Sequence, residues 1–192
     1  MVESTAGTTS ESRAENVAER RCFFAVWPDA AVRARLAEWA GEVRTDPPAR
    51  RVEAANLHIT LVFLGVLDSR QLDAIRKVGN DTGWTGASLT LDRIGFWKRS
   101  RIVWAGSRDG CTALSALAEG LRDRLRRLGF GVEERPFVPH VTLYRKAHRK
   151  PRWAHRCVEW RIDDFCLVES LLTPTGAQYS VLDRWSADGD MK

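Results

Sequence analysis

The sequence lacks the marks of several protein classes. It has four cysteines, Cys22, Cys111, Cys157 and Cys166, and no two of them form a C-x-x-C pair or stand at zinc-finger spacing from a histidine pair. Thiols in that pattern are expected to be free, in a reducing cytoplasm. No long apolar run is present. The longest lies near Leu61 to Leu67, far short of the ~20 residues that a membrane-spanning helix needs. The first 19 residues lack the apolar core of a secretory signal, and Glu3, Glu11, Glu15 and Glu19 argue against an acid-poor transit peptide. That polar segment, 1–19, is expected to be a disordered tail ahead of one domain over 20–188. The expectation is a cytoplasmic protein with no membrane partner.

What is present is an ordinary globular balance. Hydrophobic residues make up 44% and charged residues 29% of 192 residues, enough for a buried core without staples. The length fits one domain, or one domain built from two similar lobes. A net charge of +5 suits a polyanionic substrate, and equally suits a surface that is basic only for solubility.

Patterning predicts interleaved strands and helices. Arg21 to Trp27 reads as a buried strand. Pro28 is expected to open a helix running to Val43, with Val32, Leu36, Trp39 and Ala40 on one face. Short extended pieces follow near Val52 and from Leu57 to Leu64, then a helix over Arg70 to Asn80 capped by Asp68 or Ser69. Ser88 to Trp97 alternates as one strand, and Arg101 to Ser107 as the next. Asp109 is expected to cap a long helix with Leu114, Leu117, Leu121, Leu125 and Leu128 at helical spacing, ended by Gly129. A strand through His140 to Tyr144, one from Trp160 to Glu169 and one from Gln178 to Trp185 complete the chain. The class is α+β with mixed or antiparallel sheets.

Histidine is scarce, at four residues, and two of the four lie in a repeat. His58-Ile59-Thr60-Leu61 resembles His140-Val141-Thr142-Leu143, and 82 residues separate them (140 − 58). Side chains on a strand alternate faces. His58 and Thr60 therefore share one face while Ile59 and Leu61 enter the core, and the second copy behaves likewise. If the two strands are neighbours, two imidazoles and two hydroxyls converge. Phosphodiester hydrolysis without a metal needs that set. A neutral imidazole takes a proton from water, a protonated one gives a proton to the leaving oxygen, and hydroxyls hold the phosphate oxygens. Two histidines are too few for a zinc site, which takes three or four ligands, and no H-x-x-H or H-E-x-x-H occurs. Neither a metal nor another cofactor is expected. A lone H-x-T would more often be structural; the paired copies favour catalysis.

At these residues the chain resembles the 2H phosphoesterase superfamily, most of all its RNA 2′,3′-cyclic phosphodiesterases, also called the 2′-5′ RNA ligase family. The runs that carry the resemblance are R-C-F-F-A-V at Arg21 to Val26, N-L-H-I-T-L-V-F-L-G at Asn56 to Gly65, R-I-V-W-A-G at Arg101 to Gly106, F-V-P-H-V-T-L-Y-R at Phe137 to Arg145, and S-L-L-T-P-T-G-A-Q-Y at Ser170 to Tyr179. The resemblance implies two pseudo-symmetric lobes, each a small sheet with outer helices, around a central cleft. It implies His58 as general acid and His140 as general base, roles that strand parity alone leaves open. It also implies that RNA ending in a cyclic phosphate is opened to a 2′-phosphate, with 2′-5′ ligation as the reverse chemistry. A monomer is expected, though no sequence feature sets the oligomeric state. A phosphodiesterase of small cyclic nucleotides or of ADP-ribose cyclic phosphate stays open as an alternative, as does an RNA-end binding module without turnover.

Other residues are weaker candidates. Arg145 matches a family arginine and could clamp phosphate, but strict alternation turns it away from His140 and Thr142 unless the strand ends or bulges before it. The segment Arg145 to Arg156 is basic, without an acid. Arg149, Lys150 and Arg152, with Trp153 for stacking, could track RNA, or the loop could simply be solvated. Phe23 and Phe24 point to opposite faces, so one could stack a base and the other pack the core. Tyr144 shares the parity of His140. His148 and His155 read as surface residues. If the paired motifs are the whole catalytic apparatus, opening of a cyclic-phosphate oligonucleotide will survive EDTA at the untreated rate. Loss of activity on chelation, restored by one divalent ion, would overturn the metal-free mechanism.

Overall fold

The computed structural model describes residues 19–174 and 176–187. The expected tail thus lies outside the described residues except for Glu19, as does residue 188. Ten strands, numbered in chain order, and three α-helices are described. The first sheet holds β1 (Arg20–Val26), β3 (Ile59–Leu67), β9 (Asp164–Thr173) and β10 (Gly176–Ser186) in the order β10-β9-β1-β3. The second holds β2 (Arg50–Arg51), β5 (Arg93–Trp97), β6 (Ile102–Gly106) and β7 (His140–Arg145) in the order β2-β7-β6-β5. A two-stranded ribbon joins β4 (Ala87–Leu91) to β8 (Val158–Ile162). All pairings are antiparallel. The two larger sheets are the two lobes, and the architecture is α+β as the sequence reading expects.

Local chemistry accounts for the helices. Helix α1 (Ala30–Glu42) starts behind Asp29, whose carboxylate accepts from Val32 N at 2.7 Å. Pro28 thus stands just outside the cap and does not open the helix. Helix α2 (Ser69–Asn80) carries a full capping box, in which the Asp68 carboxylate accepts from Gln71 N at 2.8 Å and the Gln71 Oε1 accepts from Asp68 N at 2.9 Å. Helix α3 (Thr112–Arg127) begins after Cys111 with no side-chain cap. Asp109 does not cap it, because Gly110, at φ +72°, turns the chain between them. Its stripe Leu114, Leu117, Leu121 and Leu125 is buried; Leu128, beyond the last turn, is exposed.

Two expected strands are each two. Ser88 to Trp97 breaks at Asp92, with β4 pairing β8 and β5 pairing β6. Asp92 holds the corner, its N–H donating to Gly106 O and its carboxylate accepting from Arg108 N, both at 3.1 Å. Trp160 to Glu169 breaks at Asp163, where the chain leaves the ribbon for the first sheet. The buried positions change parity at both corners, from Leu89 and Leu91 to Ile94, and from Val158, Trp160 and Ile162 to Phe165. That slip in period marks the change of partner.

The chain passes between lobes repeatedly, and one continuous core fills both. It includes Leu36 and Trp39 of α1, Ile75 of α2, the α3 leucines and the inner faces of the sheets. Trp104 of β6 lies outside that core, on the cleft side, in space left by two glycines. A Cβ on Gly95 would come 2.0 Å from its ring, and one on Gly106 2.6 Å. Gly95→Ala will therefore destabilise the fold by about 1–3 kcal/mol through overpacking. Gly83→Ala, where a Cβ meets open space, will stay within about 0.5 kcal/mol of wild type. Urea unfolding checks both; equal midpoints would remove the packing argument for Gly95.

Candidate active site

The two H-x-T segments come together where the lobes meet. His58 directly precedes β3, the edge strand of the first sheet, and His140 opens β7, which neighbours β3 across the lobe boundary. His58, Thr60, His140, Thr142 and Arg145 line one cleft of about 1660 Å³. Each imidazole is tied by Nδ1 to a backbone carbonyl two residues upstream, His58 to Asn56 O at 2.7 Å and His140 to Val138 O at 2.8 Å. A carbonyl only accepts, so Nδ1–H donates in both and carries the proton of the neutral ring. That leaves Nε2 for the cleft. In His58 it lies 3.1 Å from Thr60 Oγ1. Two reversible proton carriers thus face one cavity with their tautomers set by the backbone.

Arg145 reaches the cleft because β7 bulges. Thr142 pairs with Trp104 and Tyr144 with the very next residue, Val103, so Leu143 is an extra residue. The bulge lets Leu143 and Tyr144 both turn to the core, and it turns Arg145 to the cleft. The first motif does the same. Thr60 pairs with Ala25 and Val62 with Phe24, so Leu61 is extra, Leu61 and Val62 are both buried, and Phe63 emerges in the cleft. The repeat is therefore six residues long, His58 to Phe63 and His140 to Arg145. Its third cleft-facing side chain is Phe63 in one copy and Arg145 in the other.

Aromatic rings surround the histidines. Trp27 stacks on His58 at 4.7 Å and 5°, Phe23 stacks at 5.1 Å, and Tyr179 meets it edge-on at 5.2 Å. Trp97 packs edge-on to His140 at 4.5 Å, with Trp104 behind at 6.3 Å. Burial among these rings disfavours the imidazolium. It lowers His58 to about 4 and lowers His140 as well, with the Arg145 charge adding to both. Without an anion in the cleft both rings are neutral at pH 7. Beneath the floor Cys166 is buried and its thiol is pushed up to about 12, so it offers no thiolate.

Sequence candidates divide sharply. Phe23 lines the cleft floor, whereas Phe24 lies in the main core against Phe165 and Trp185, and is no RNA contact. Tyr144 points away from the cleft, its hydroxyl donating to Ala40 O at 2.8 Å; the bulge that turns Arg145 inward turns Tyr144 outward. Arg149, Lys150, Arg152 and Trp153 are not part of the cleft wall. Arg149 faces Asp46 at 3.4 Å, Lys150 sits over the Trp153 ring, and the Arg152 backbone bridges Arg44. The basic loop thus lies along the outside of α1, where Arg156 pairs with Glu42. Sequence reading missed Trp27, Phe63, Trp97, Trp104 and Tyr179. For Phe63 a signal existed, namely its alignment with Arg145 once the repeat is extended by two residues. Among the described residues no three His, Cys, Asp or Glu side chains group to hold a metal ion.

Comparison with known proteins places the chain in a family and matches its overall fold. The family model of the 2′-5′ RNA ligase superfamily matches residues 27–173. The RNA 2′,3′-cyclic phosphodiesterase of Escherichia coli K12 is 34% identical over 169 residues, covering 87% of this chain and 96% of that one. The enzyme of the same name from Thermotoga maritima is 33% identical, over 73% and 80% of the two chains. Among solved structures, E. coli LigT complexed with 3′-AMP superposes with a TM-score of 0.82 at 33% identity, covering 90% of this chain and 100% of that one.

The depressed histidine has a consequence for stability. Its folded pKa, about 4, lies below the ordinary 6.5, so between these values the unfolded chain binds a proton that the folded chain does not. That contribution to stability is whole above pH 6.5 and is lost as pH falls through 4. Acidification from pH 7 to 4 will cost the wild type roughly 2–3 kcal/mol more than His58→Gln. Chemical denaturation of both proteins across that range checks it, and parallel stability curves would show that His58 is not held neutral.

Proposed function

The chain belongs to the 2′-5′ RNA ligase superfamily, and from that premise we propose that it hydrolyses RNA 2′,3′-cyclic phosphate ends to 2′-phosphomonoesters by paired-histidine acid–base catalysis. The observation that carries the reading is the matched pair of imidazoles, each with Nδ1 held by a carbonyl and Nε2 directed to the same cleft, beside Thr60 and Thr142.

His140, neutral, takes a proton from water as the water oxygen bonds to phosphorus. His58, protonated, gives its proton to the ribose O3′ as the P–O3′ bond breaks. The products are a 2′-phosphate and a free 3′-hydroxyl, and the two histidines end with their protonation states exchanged. The assignment of acid and base follows the family resemblance. Thr60 and Thr142 donate to non-bridging oxygens, and Arg145 adds charge-assisted bonds that strengthen as charge builds in the transition state. Run in the same direction with the 5′-hydroxyl of a second RNA end in place of water, the same step forms a 2′-5′ linkage: P–O5′ forms, P–O3′ breaks, and His140 takes the hydroxyl's proton.

The empty-cleft electrostatics fit this cycle. Burial keeps His58 neutral until an anion arrives, and the phosphate charge then favours its imidazolium. Substrate entry thus supplies the proton affinity that the acid needs. Both halves of the site lie on one chain, which suits a monomer. Free cysteines suit the cytoplasm as its place of work, and among the described residues no helix is long and apolar enough to cross a membrane.

His58→Ala and His140→Ala will each lose roughly 10²–10⁴-fold in single-turnover opening of a cyclic-phosphate oligonucleotide, with melting near wild type at pH 7. The double variant will lose far less than the product, since acid and base act as a unit. Thr60→Ala and Thr142→Ala will lose less. The wild-type rate will be bell-shaped in pH, the two limbs belonging to the pair. A folded histidine variant that cleaves at the wild-type rate would refute the assignment at that position.

A further inference from the structure

We propose that Arg122 is a positioning residue for His140, holding in place the segment whose Val138 carbonyl clamps the imidazole. The inference rests on the paired-histidine reading above and deepens it, since it names what sets the geometry of one of the two histidines.

The two Nδ1 clamps are alike in partner and length but differ in what holds them. Asn56 O belongs to a 3₁₀ turn (Ala54–Asn56) closed by its own backbone bonds, Asn56 N to Glu53 O at 2.9 Å and Leu57 N to Ala54 O at 3.2 Å. The Asn56 side chain adds a third tie, donating to Ala177 O of β10 at 3.0 Å. Val138 O lies instead in an irregular segment between α3 and β7. Among the described residues, Gly131 to Phe137 make no backbone–backbone hydrogen bond. Phe130, Val132 and Phe137 rest on the core, but apolar contact has no direction. A carbonyl that must meet a ring nitrogen in hydrogen-bond geometry needs a directional tie.

Arg122 supplies it. Its Nη1, reaching from α3, donates to Arg135 O at 3.0 Å and to Glu119 Oε1 at 2.6 Å. Between Arg135 and His140 the chain reads Pro136-Phe137-Val138-Pro139. Each proline fixes its own φ and restricts the residue before it, here Arg135 and Val138. A strap stiffened in this way carries the anchor at Arg135 to the Val138 carbonyl. The arginine is otherwise costly. Only 5% of it is exposed, and its Nε is buried without a partner. It interrupts the buried helix face of Leu114, Leu117, Ala118, Leu121 and Leu125, where a methionine would pack without the desolvation penalty. Packing gives no reason for a guanidinium there, and the segment leading to His140 gives one.

The test compares wild type, Arg122→Met, Arg122→Lys and Glu119→Gln. Nitrogen-15 NMR of histidine-labelled protein at pH 7 reads the tautomer of each ring, and steady-state opening of a cyclic-phosphate oligonucleotide reads kcat and KM. In wild type His58 and His140 are both expected to carry the proton on Nδ1. Arg122→Met is expected to move part of the His140 population to the Nε2–H form, with His58 unchanged in the same spectrum as the internal reference. Its kcat is expected to fall about 10- to 100-fold with KM within about twofold, since a displaced catalytic group costs rate and not ground-state binding. Arg122→Lys should restore most of the kcat and the Nδ1–H form, because both bonds come from one nitrogen and an ammonium has three donors. Glu119→Gln should match wild type, because the bond to Arg135 survives it. If Arg122→Met does not fold, Arg122→Gln takes its place, its amide too short to reach Arg135 O. The positioning role is overturned by a His140 tautomer that stays Nδ1–H, by a kcat within about threefold of wild type, by both histidines shifting together, or by a loss in Glu119→Gln equal to that in Arg122→Met. Each of these overturns this inference alone. A wild type that opens no cyclic-phosphate end overturns the proposed function, and this inference with it.

Discussion

One extra residue in each of two strands governs this site. A strand alternates its side chains, so a strand that buries Ile59 and Leu61 should next bury Phe63, and one that buries Val141 and Leu143 should next bury Arg145. A buried unpaired arginine is ruled out by its desolvation cost, and a regular strand would place it so. The bulges at Leu61 and Leu143 resolve the conflict. Each sends two consecutive residues to the core and releases the third to the cleft. Phosphate chemistry on this scaffold depends on that break in period, because the histidine and threonine lie before it and the charge-bearing side chain after it.

Much of this was legible in the sequence. The class, the helices α1 to α3, the first strand and the two H-x-T segments all follow from periodicity, capping residues and the internal repeat. The condition on Arg145, that the strand bulge before it, follows from parity alone. Legibility failed where a slip in period passes for one strand. The buried positions shift parity across Asp92, from Leu91 to Ile94, and across Asp163, from Ile162 to Phe165, and each slip is a change of partner. The basic loop misled for a different reason. Its sequence holds no acid, yet its acids are supplied from afar by Asp46 and Glu42, and a one-dimensional charge run cannot show that neutralisation.

The aromatic residues around the histidines were not legible as a group, since Trp27, Trp97, Trp104 and Tyr179 come from four separate strands or turns. Their physical role follows from burial. Rings packed against an imidazole exclude water and penalise the charged form, which is why His58 falls to about 4. That setting leaves the imidazolium unpopulated at pH 7 in an empty cleft. A nearby anion favours it, because the same low-dielectric surroundings that penalise a lone imidazolium strengthen its attraction to the anion. The cage thus makes protonation conditional on an anion in the cleft.

Pseudo-symmetry sets the remaining problem. Two identical half-sites would bind a phosphate equally well in either orientation, and half of those orientations would put the attacking water where the leaving sugar must be. In-line displacement needs one side to be water's and the other the sugar's. The backbone offers no preference, since both Nδ1 clamps are alike in partner and length. The difference must come from side chains at equivalent places. Phe63 against Arg145 is such a difference, at the first cleft-facing position after the histidine and threonine where the two copies part in chemistry. A guanidinium offers an anion several charge-assisted bonds and an apolar ring offers none. The two half-sites are thus equal in backbone and unequal in side chain, and an anion between them meets different surroundings on its two sides.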